Sequence, residues 1–207
     1  MTEQQQQEVL EALDAERRIW RVNKLAVIFP GIGYRTDKPL LYFAARLAAR
    51  NGYEIREVHY RGFPQEVNKR NARGRRELFD LAMEQTRELL RGIPVEEGGE
   101  LLFISKSIGT AVACAYAAEC GRPVRHILYT PLEETPLKGV KEAIAFHGTA
   151  DKYARTDVIR KKMDEAKIPL HVYEDANHSL ETDDTLRDIA TLSRVMRLCG
   201  DFFSAEA

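Results

Sequence analysis

The chain has 207 residues, long enough for one domain with a buried core, and its 44% hydrophobic and 30% charged residues are typical of soluble globular proteins. Lysine and arginine together number 31, and aspartate and glutamate 32, so the formal net charge is −1. This balance excludes a general electrostatic attraction to nucleic acid or to an anionic membrane. We expect a single domain over residues 1–207, in which residues 1–22 form an N-terminal extension or edge element.

Cysteine usage and the N-terminal sequence predict a cytoplasmic protein. The three cysteines form no CxxC pair, and an odd number of cysteines is a poor basis for a disulfide framework. The first ten residues are rich in glutamine and lack the basic and apolar regions of a secretory signal. The longest apolar run, residues 111–118, is much shorter than the roughly 20 residues that span a bilayer.

Short apolar segments alternate with longer amphipathic ones, which is the pattern of an α/β fold with a mostly parallel sheet. The predicted strands are residues 25–29, 53–60, 101–104, 125–130, 143–147 and 170–174. The predicted helices are residues 38–50, 75–90, 107–120, 151–166 and 180–198. The first twenty residues fit a helix better than an edge strand. We therefore predict an open, mostly parallel sheet with helices on both faces.

A small-residue segment follows the third predicted strand and places Ser107 at the turn into a helix. This is the position of a nucleophile elbow, where the residues two before and two after the serine must be small, as Ser105 and Gly109 are. A helix N-cap is the alternative interpretation of Ser107. The following helix directs its first amide, that of Ile108, towards the serine, where it can stabilise an oxyanion.

A serine nucleophile needs a base, and His178 lies in the loop after the last predicted strand. The base needs a carboxylate, and Asp151 follows the preceding strand; Asp157 and Asp175 are the reserve candidates. Since the carboxyl ends of parallel strands meet at one edge of a sheet, we expect Ser107, Asp151 and His178 to converge there. The turn at residues 30–33 follows the first strand and offers a second oxyanion donor, the amide of Ile32 or Gly33.

These segments resemble the α/β-hydrolase superfamily over about residues 25–198. Ser-Lys-Ser-Ile-Gly is similar to the family's elbow, with serine in place of the first glycine, and His-Gly-Thr-Ala-Asp is similar to its acid turn. Ala-Asn-His-Ser-Leu resembles the histidine loop, Tyr-Arg-Gly-Phe-Pro resembles the R-G-x-G segment, and Pro-Gly-Ile-Gly resembles the oxyanion turn. The resemblance implies that Ile32 supplies the second oxyanion amide.

The resemblance implies a serine hydrolase that cleaves a carboxylic ester, or a thioester, of a small substrate through an acyl-enzyme. The connection after residue 130 is too short for a cap domain, which implies an open, shallow pocket. Neither a cofactor nor a metal is implied, and nucleic acid and membranes are not expected partners. The alternatives are a thioesterase, an acyltransferase, or a catalytically silent binding module that acts through the basic segment at residues 69–76.

The remaining polar motifs have simpler interpretations. We expect His147 to order its turn and the other three histidines to be structural or solvated, because none has metal-ligand spacing with a partner. A phosphate loop is excluded before Lys106, since Glu100 and Ser105 stand where glycines are needed. The basic segment predicts a solvated helix start with a flexible loop at Gly74. We expect Cys114 and Cys199 to be inert core thiols.

Overall fold

The computed structural model describes residues 22–64, 72–92 and 95–204, and its six strands form one parallel sheet. The strands are β1 (Val22–Phe29), β2 (Glu54–Glu57), β3 (Val95–Lys106), β4 (Arg125–Tyr129), β5 (Glu142–Gly148) and β6 (Leu170–Tyr173). The helices are α1 (Pro39–Arg50), α2 (Ala72–Leu89), α3 (Ile108–Cys120), α4 (Thr156–Glu165) and α5 (Thr185–Ser204). The strand order is β2-β1-β3-β4-β5-β6, and every neighbouring pair is parallel.

The alternation of side chains along the strands divides the core between the two faces of the sheet. On one face, alternate residues such as Ile28 and Ile104 pack in a cluster with α1 and α5. On the other face, their neighbours Val27 and Phe103 pack with α2 and α3, and Ala145 packs with α4 in an adjoining cluster. The predicted arrangement of helices on both faces is therefore confirmed.

All six predicted strands are present, but several predicted boundaries are wrong. Strand β2 is shorter than predicted, and β3 is longer because its first part continues to pair with β1 near Val22. Helix α4 begins only at Thr156, because the side chain of Asp151 accepts a hydrogen bond from the Tyr153 amide and holds a turn. Helix α5 begins at Thr185, since the Asp184 carboxylate caps its first free amides.

The connection between β4 and β5, residues 130–141, is fully described and contains no helix. No cap domain is therefore inserted between these strands. Gly74 was expected in a flexible loop, and that expectation is wrong, since Gly74 lies within α2. The N-terminal helix prediction and the basic residues Lys69 and Arg70 lie outside the described residues. Over the ranges that the structure covers, no helix is long and apolar enough to cross a membrane.

Candidate active site

Ser107 occupies the turn between β3 and α3 with a backbone conformation that is unusual for any residue except glycine. Its φ is 57° and its ψ is −125°, and its amide donates a hydrogen bond to the Tyr129 carbonyl at 3.0 Å. Such a conformation costs on the order of 1–3 kcal/mol and persists only where the surrounding structure enforces it. The turn lifts the Ser107 hydroxyl above the carboxyl edge of the sheet, where it lines a cleft.

The two small residues that flank this turn fit it in different ways. A Cβ atom on Gly109 would lie 2.4 Å from the carbonyl oxygen of Phe29 and 2.6 Å from that of Pro30, so helix α3 can approach β1 only with glycine here. Ser105 is tolerated two residues before the serine because its hydroxyl donates to the Ile127 carbonyl at 3.2 Å within the sheet. The serine that replaces the usual first glycine therefore fits the turn.

The structure brings Ser107, His178 and Asp151 into one hydrogen-bonded series. His178 Nε2 lies 2.8 Å from Ser107 Oγ, and His178 Nδ1 lies 2.6 Å from Asp151 Oδ2. The second oxygen of the Asp151 carboxylate accepts the Tyr153 amide at 2.8 Å. The Asp151 carboxylate is fully buried, whereas the imidazole of His178 retains some exposure towards the cleft.

The two reserve carboxylates lie elsewhere. Asp157 is exposed and forms an ion pair with Arg155, and Asp175 is exposed at 3.4 Å from the Arg187 guanidinium. Of the three candidate acids, only Asp151 contacts the imidazole of His178.

The pKa values of His178 and Asp151 are both lowered by their surroundings. Burial lowers the pKa of His178 below its ordinary value, although the hydrogen bond to Asp151 opposes this shift. Burial alone would raise the pKa of Asp151, but the hydrogen bond and charge of His178, and the Tyr153 amide, bring that pKa below its usual range. At neutral pH the carboxylate is therefore ionised and the imidazole neutral, which is the state that a general base requires.

The loops that carry Asp151 and His178 are bonded to each other through their backbones. A Cβ atom on Gly148 would lie 2.1 Å from the Ala176 carbonyl oxygen, so the two loops touch at this glycine. The amides of Thr149 and Ala150 donate to the carbonyls of Tyr173 and Ala176, both at 2.9 Å. The Thr149 hydroxyl in turn accepts the Asp175 amide at 2.8 Å. We call residues 148–151 and 173–178 the paired loops.

His147 lies behind the Asp151 carboxylate and does not reach the cleft. Its Nε2 lies 3.1 Å from the Thr156 hydroxyl, and its Nδ1 is 3.8 Å from Asp151 Oδ2. Burial lowers the pKa of His147, so this ring is neutral at physiological pH.

A cleft of about 230 Å³ opens beside Ser107 at the carboxyl edge of the sheet. The other residues that line it are mostly apolar or aromatic and include Leu78, Leu132 and Tyr153. Ile32 and Ile108, whose amides were expected to bind an oxyanion, also line it. Arg75 also reaches the cleft, where its guanidinium forms an ion pair with Glu134 at 2.5 Å. Arg76 of the same basic segment pairs with Asp80, so at least two of its charges are neutralised locally.

Sequence reasoning missed three residues of the site. The Tyr153 ring packs against the base at a tilt of 49°, with its centroid 4.7 Å from that of His178. Lys106, which was considered only as part of a phosphate loop, is completely buried and contacts Thr130 and the backbone of His178. A lone charged residue at the end of an apolar strand was the available signal for Lys106, whereas nothing in the sequence singles out Thr130 or Tyr153.

No protein-family model matches this sequence, and no curated protein matches it. Solved structures do share its fold. An alpha-beta serine hydrolase homologue from Coxiella burnetii superposes with a TM-score of 0.61 at 13% identity, covering 86% of this chain and 86% of that chain. A serine hydrolase without a lid from Xanthomonas campestris gives a TM-score of 0.58 at 15% identity, with coverages of 90% and 85%. An esterase from Pyrococcus furiosus gives 0.58 at 13% identity, with coverages of 88% and 83%.

The fold likeness agrees with the architecture of the sheet and helices. The parallel sheet with helices on both faces corresponds to the fold that these proteins share, and the connection after β4 holds no cap, in keeping with the Xanthomonas campestris protein, which is described as having no lid. The chain therefore adopts the α/β-hydrolase fold, with no cap domain between β4 and β5.

Proposed function

We propose that this protein is a serine hydrolase that cleaves a carboxylic ester of a small substrate. In this proposal Ser107 is the nucleophile, His178 the general base, and Asp151 the carboxylate that orients the base. The observation that carries the proposal is the unbroken hydrogen-bonded series from a buried carboxylate through an imidazole to a strained serine. Solved structures with this fold include a serine hydrolase homologue and an esterase, which supports hydrolysis as the reaction class.

In the acylation step, Ser107 Oγ attacks the carbonyl carbon while His178 Nε2 accepts the hydroxyl proton. The carbonyl π electrons move to its oxygen, which becomes an oxyanion. When the tetrahedral intermediate collapses, the bond to the leaving alkoxide breaks and His178 returns the proton to that oxygen. The Asp151 carboxylate stabilises the transient imidazolium. It also keeps a proton on Nδ1, so that Nε2 of the neutral imidazole is free to accept the serine proton.

The backbone amides of Ile32 and Ile108 are the proposed oxyanion donors. Both residues line the cleft beside Ser107, and Ile108 is the first residue of α3, where helix amides have no partner within the helix. Among the described residues, neither amide donates to a backbone carbonyl in a turn, a loop or a helix cap. Two amide donors at this position stabilise the charge that develops on the carbonyl oxygen.

Deacylation repeats these steps with water as the nucleophile. Water gives a proton to His178 as its oxygen attacks the acyl carbon. When this second intermediate collapses, the bond from the acyl carbon to Ser107 Oγ breaks, His178 returns the proton to Ser107 Oγ, and the carboxylic acid leaves. The described part of the chain has no cap over the cleft, so water reaches the acyl-enzyme directly.

The dimensions of the cleft support a small acyl group. A volume of about 230 Å³ is below the roughly 300–1,000 Å³ of typical drug-sized ligand sites, and its apolar lining suits a short aliphatic chain. The proposed residues act on the carbonyl carbon and do not select the leaving group, so a thioester undergoes the same chemistry. Substrate panels therefore need short p-nitrophenyl esters and the matching acyl thioesters.

The test is covalent labelling with a fluorophosphonate, followed by intact-mass spectrometry. The phosphonate phosphorus forms a bond to an activated serine oxygen and fluoride leaves, so the native chain gains one adduct. Ser107→Ala and His178→Ala each abolish the adduct. The control Ser204→Ala retains it, because that exposed serine donates to the Gly200 carbonyl on α5 and does not line the cleft. The rate of p-nitrophenyl acetate hydrolysis is measured for the same four proteins.

The absence of an adduct on folded native protein would overturn the proposal. In that case the catalytically silent binding module becomes the better hypothesis. The local pairing of Arg75 and Arg76 with acidic side chains already weakens an electrostatic role for the basic segment.

We also propose that the protein works in the cytoplasm. Its three cysteines are free thiols in the structure, which suits a reducing compartment. Fractionation of the source cells with an antibody against the protein tests this location, and recovery from an oxidising compartment would contradict it.

A further inference from the structure

Lys106 is the last residue of β3, directly before Ser107, and its side chain is completely buried. Lysine is almost never fully buried unless its charge is paired. Over the described residues, however, no carboxylate lies within ion-pair distance of its ammonium group. The function derived above gives this cation no role, so its retention needs an explanation.

The contacts of Lys106 converge on the backbone of the residue that carries the base. Its Nζ donates to the carbonyl oxygen of His178 at 2.6 Å and to Thr130 Oγ1 at 2.7 Å, and lies 4.9 Å from the centroid of the Tyr34 ring. Thr130 Oγ1 donates to the same His178 carbonyl at 3.1 Å, which closes a triangle of hydrogen bonds. Thr130 has a φ of 41°, a strained value for a β-branched residue.

We propose that Lys106 is a positioning residue that holds the His178 backbone where the imidazole reaches both Asp151 and Ser107. Lys106 and Ser107 are consecutive residues at the end of a central strand, so a bond from Lys106 fixes the histidine loop directly against the nucleophile. This inference rests on the function proposed above, because it concerns the base of that reaction.

Stability alone does not account for a cation at this place. A methionine side chain of similar length would fill the same volume without the cost of removing a charge from water, and such replacements are often neutral or stabilising. Methionine has no donor, however, and of the two described bonds to the His178 carbonyl would leave only the longer one, from Thr130. The cation is the feature that binds this carbonyl most closely.

The charge of Lys106 also acts on the base. Burial lowers the pKa of Lys106 to about 7, against the opposing charges of Asp151 and Glu181. For His178, burial lowers the pKa, the bond to Asp151 raises it, and the charges of Lys106 and His147 lower it. Below about pH 7, where Lys106 carries its charge, this charge therefore helps to keep the imidazole neutral and ready to accept the serine proton.

The test compares native protein with Lys106→Met, using p-nitrophenyl acetate across a range of pH. We expect kcat to fall by about 10–100-fold, because a small displacement of a positioned group costs up to about this much, while KM changes by less than about twofold. The acid limb of kcat/KM moves to higher pH, since the variant lacks a charge that lowers the pKa of His178. A merely structural role would not move that limb.

Lys162→Met is the matched control. Lys162 also donates from its ammonium group to two backbone carbonyls, those of Glu133 and Thr135, but it makes no bond to His178. We expect this variant to keep the native kcat within about twofold and the native pH profile. A folded Lys106→Met protein with the native kcat or an unmoved acid limb overturns the inference.

A second variant covers the case in which Lys106→Met does not fold, as judged by loss of a cooperative thermal transition. Thr130→Val keeps the shape of the side chain but removes the hydroxyl from the triangle, and we expect kcat to fall roughly fivefold. Native kinetics in Thr130→Val would then overturn the inference. An inactive and unlabelled native protein would instead overturn the proposed function, and this inference with it.

Discussion

Replacing Asp151 by asparagine changes one buried oxygen to an amide group and disables the base through its tautomer. The native carboxylate accepts from both the Tyr153 amide and His178 Nδ1, whereas asparagine has only one acceptor oxygen. If that oxygen faces Tyr153, the amide hydrogens face Nδ1, which must then carry no proton. The proton moves to Nε2 and points at Ser107 Oγ, so the imidazole no longer accepts from the serine.

The alternative orientation of the asparagine is also unfavourable, because it sets the amide hydrogens against the Tyr153 N–H group. We therefore expect kcat to fall by about 10³–10⁴, the loss that a wrong tautomer causes in serine proteases, which is about 4–5.4 kcal/mol of transition-state stabilisation. The assay is p-nitrophenyl acetate hydrolysis, with cooperative thermal unfolding to establish that the variant is folded.

The two reserve carboxylates supply matched controls for this experiment. Asp157→Asn and Asp175→Asn each remove one exposed carboxylate that makes no contact with the imidazole, so both variants are expected to keep kcat within about twofold. A folded Asp151→Asn protein with more than about a tenth of the native kcat would refute the tautomer argument. A large loss in either control would show that the acid has been assigned to the wrong residue.

Three further predictions follow from burial and packing. Gly109→Ala lowers the free energy of unfolding by about 1–3 kcal/mol through its clash with the Phe29 carbonyl. Gly200→Ala, where nothing lies within 4 Å, raises it by about 0.4–1 kcal/mol; urea unfolding measures both, and equal effects would contradict the steric argument. A pH profile of kcat/KM for native protein has the midpoint of its acid limb below about 6.5, because burial lowers the pKa of His178, which must be neutral to act as the base. A higher midpoint would contradict this. Burial raises the pKa of Cys114 and Cys199 to about 12, so both thiols react more slowly in a thiol titration than the half-buried Cys120; equal rates would contradict their burial.

Local sequence was sufficient to predict the sheet but not its exact boundaries. The apolar run at residues 25–29 identifies β1 because a strand buried on both faces has no polar positions. The extension of β3 back to Val95 was not predictable, since its first residues are polar and join the sheet only by pairing with β1. The late start of α4 depends on one side chain that bonds to the backbone, which periodicity does not reveal.

The convergence of Ser107, Asp151 and His178 was predictable because each follows a strand of a parallel sheet and all such ends lie at one edge. The contacts of Lys106 were not predictable, since they depend on how the loops after β4 and β6 fold back over β3. A residue's own strand can be inferred from its neighbours in sequence, whereas the atoms that its side chain meets belong to other segments of the chain.

The paired loops have a consequence for local unfolding. Two hydrogen bonds between backbone groups and one from the Asp175 amide to the Thr149 hydroxyl join the segment of Asp151 to that of His178. The two segments also touch at Gly148, where there is no space for a side chain. Neither loop opens without breaking the bonds of the other, so the two behave as one cooperative unit. Together with the bonds from Lys106 and Thr130 to the His178 carbonyl, these contacts keep the Asp151 carboxylate and the imidazole at hydrogen-bonding distance.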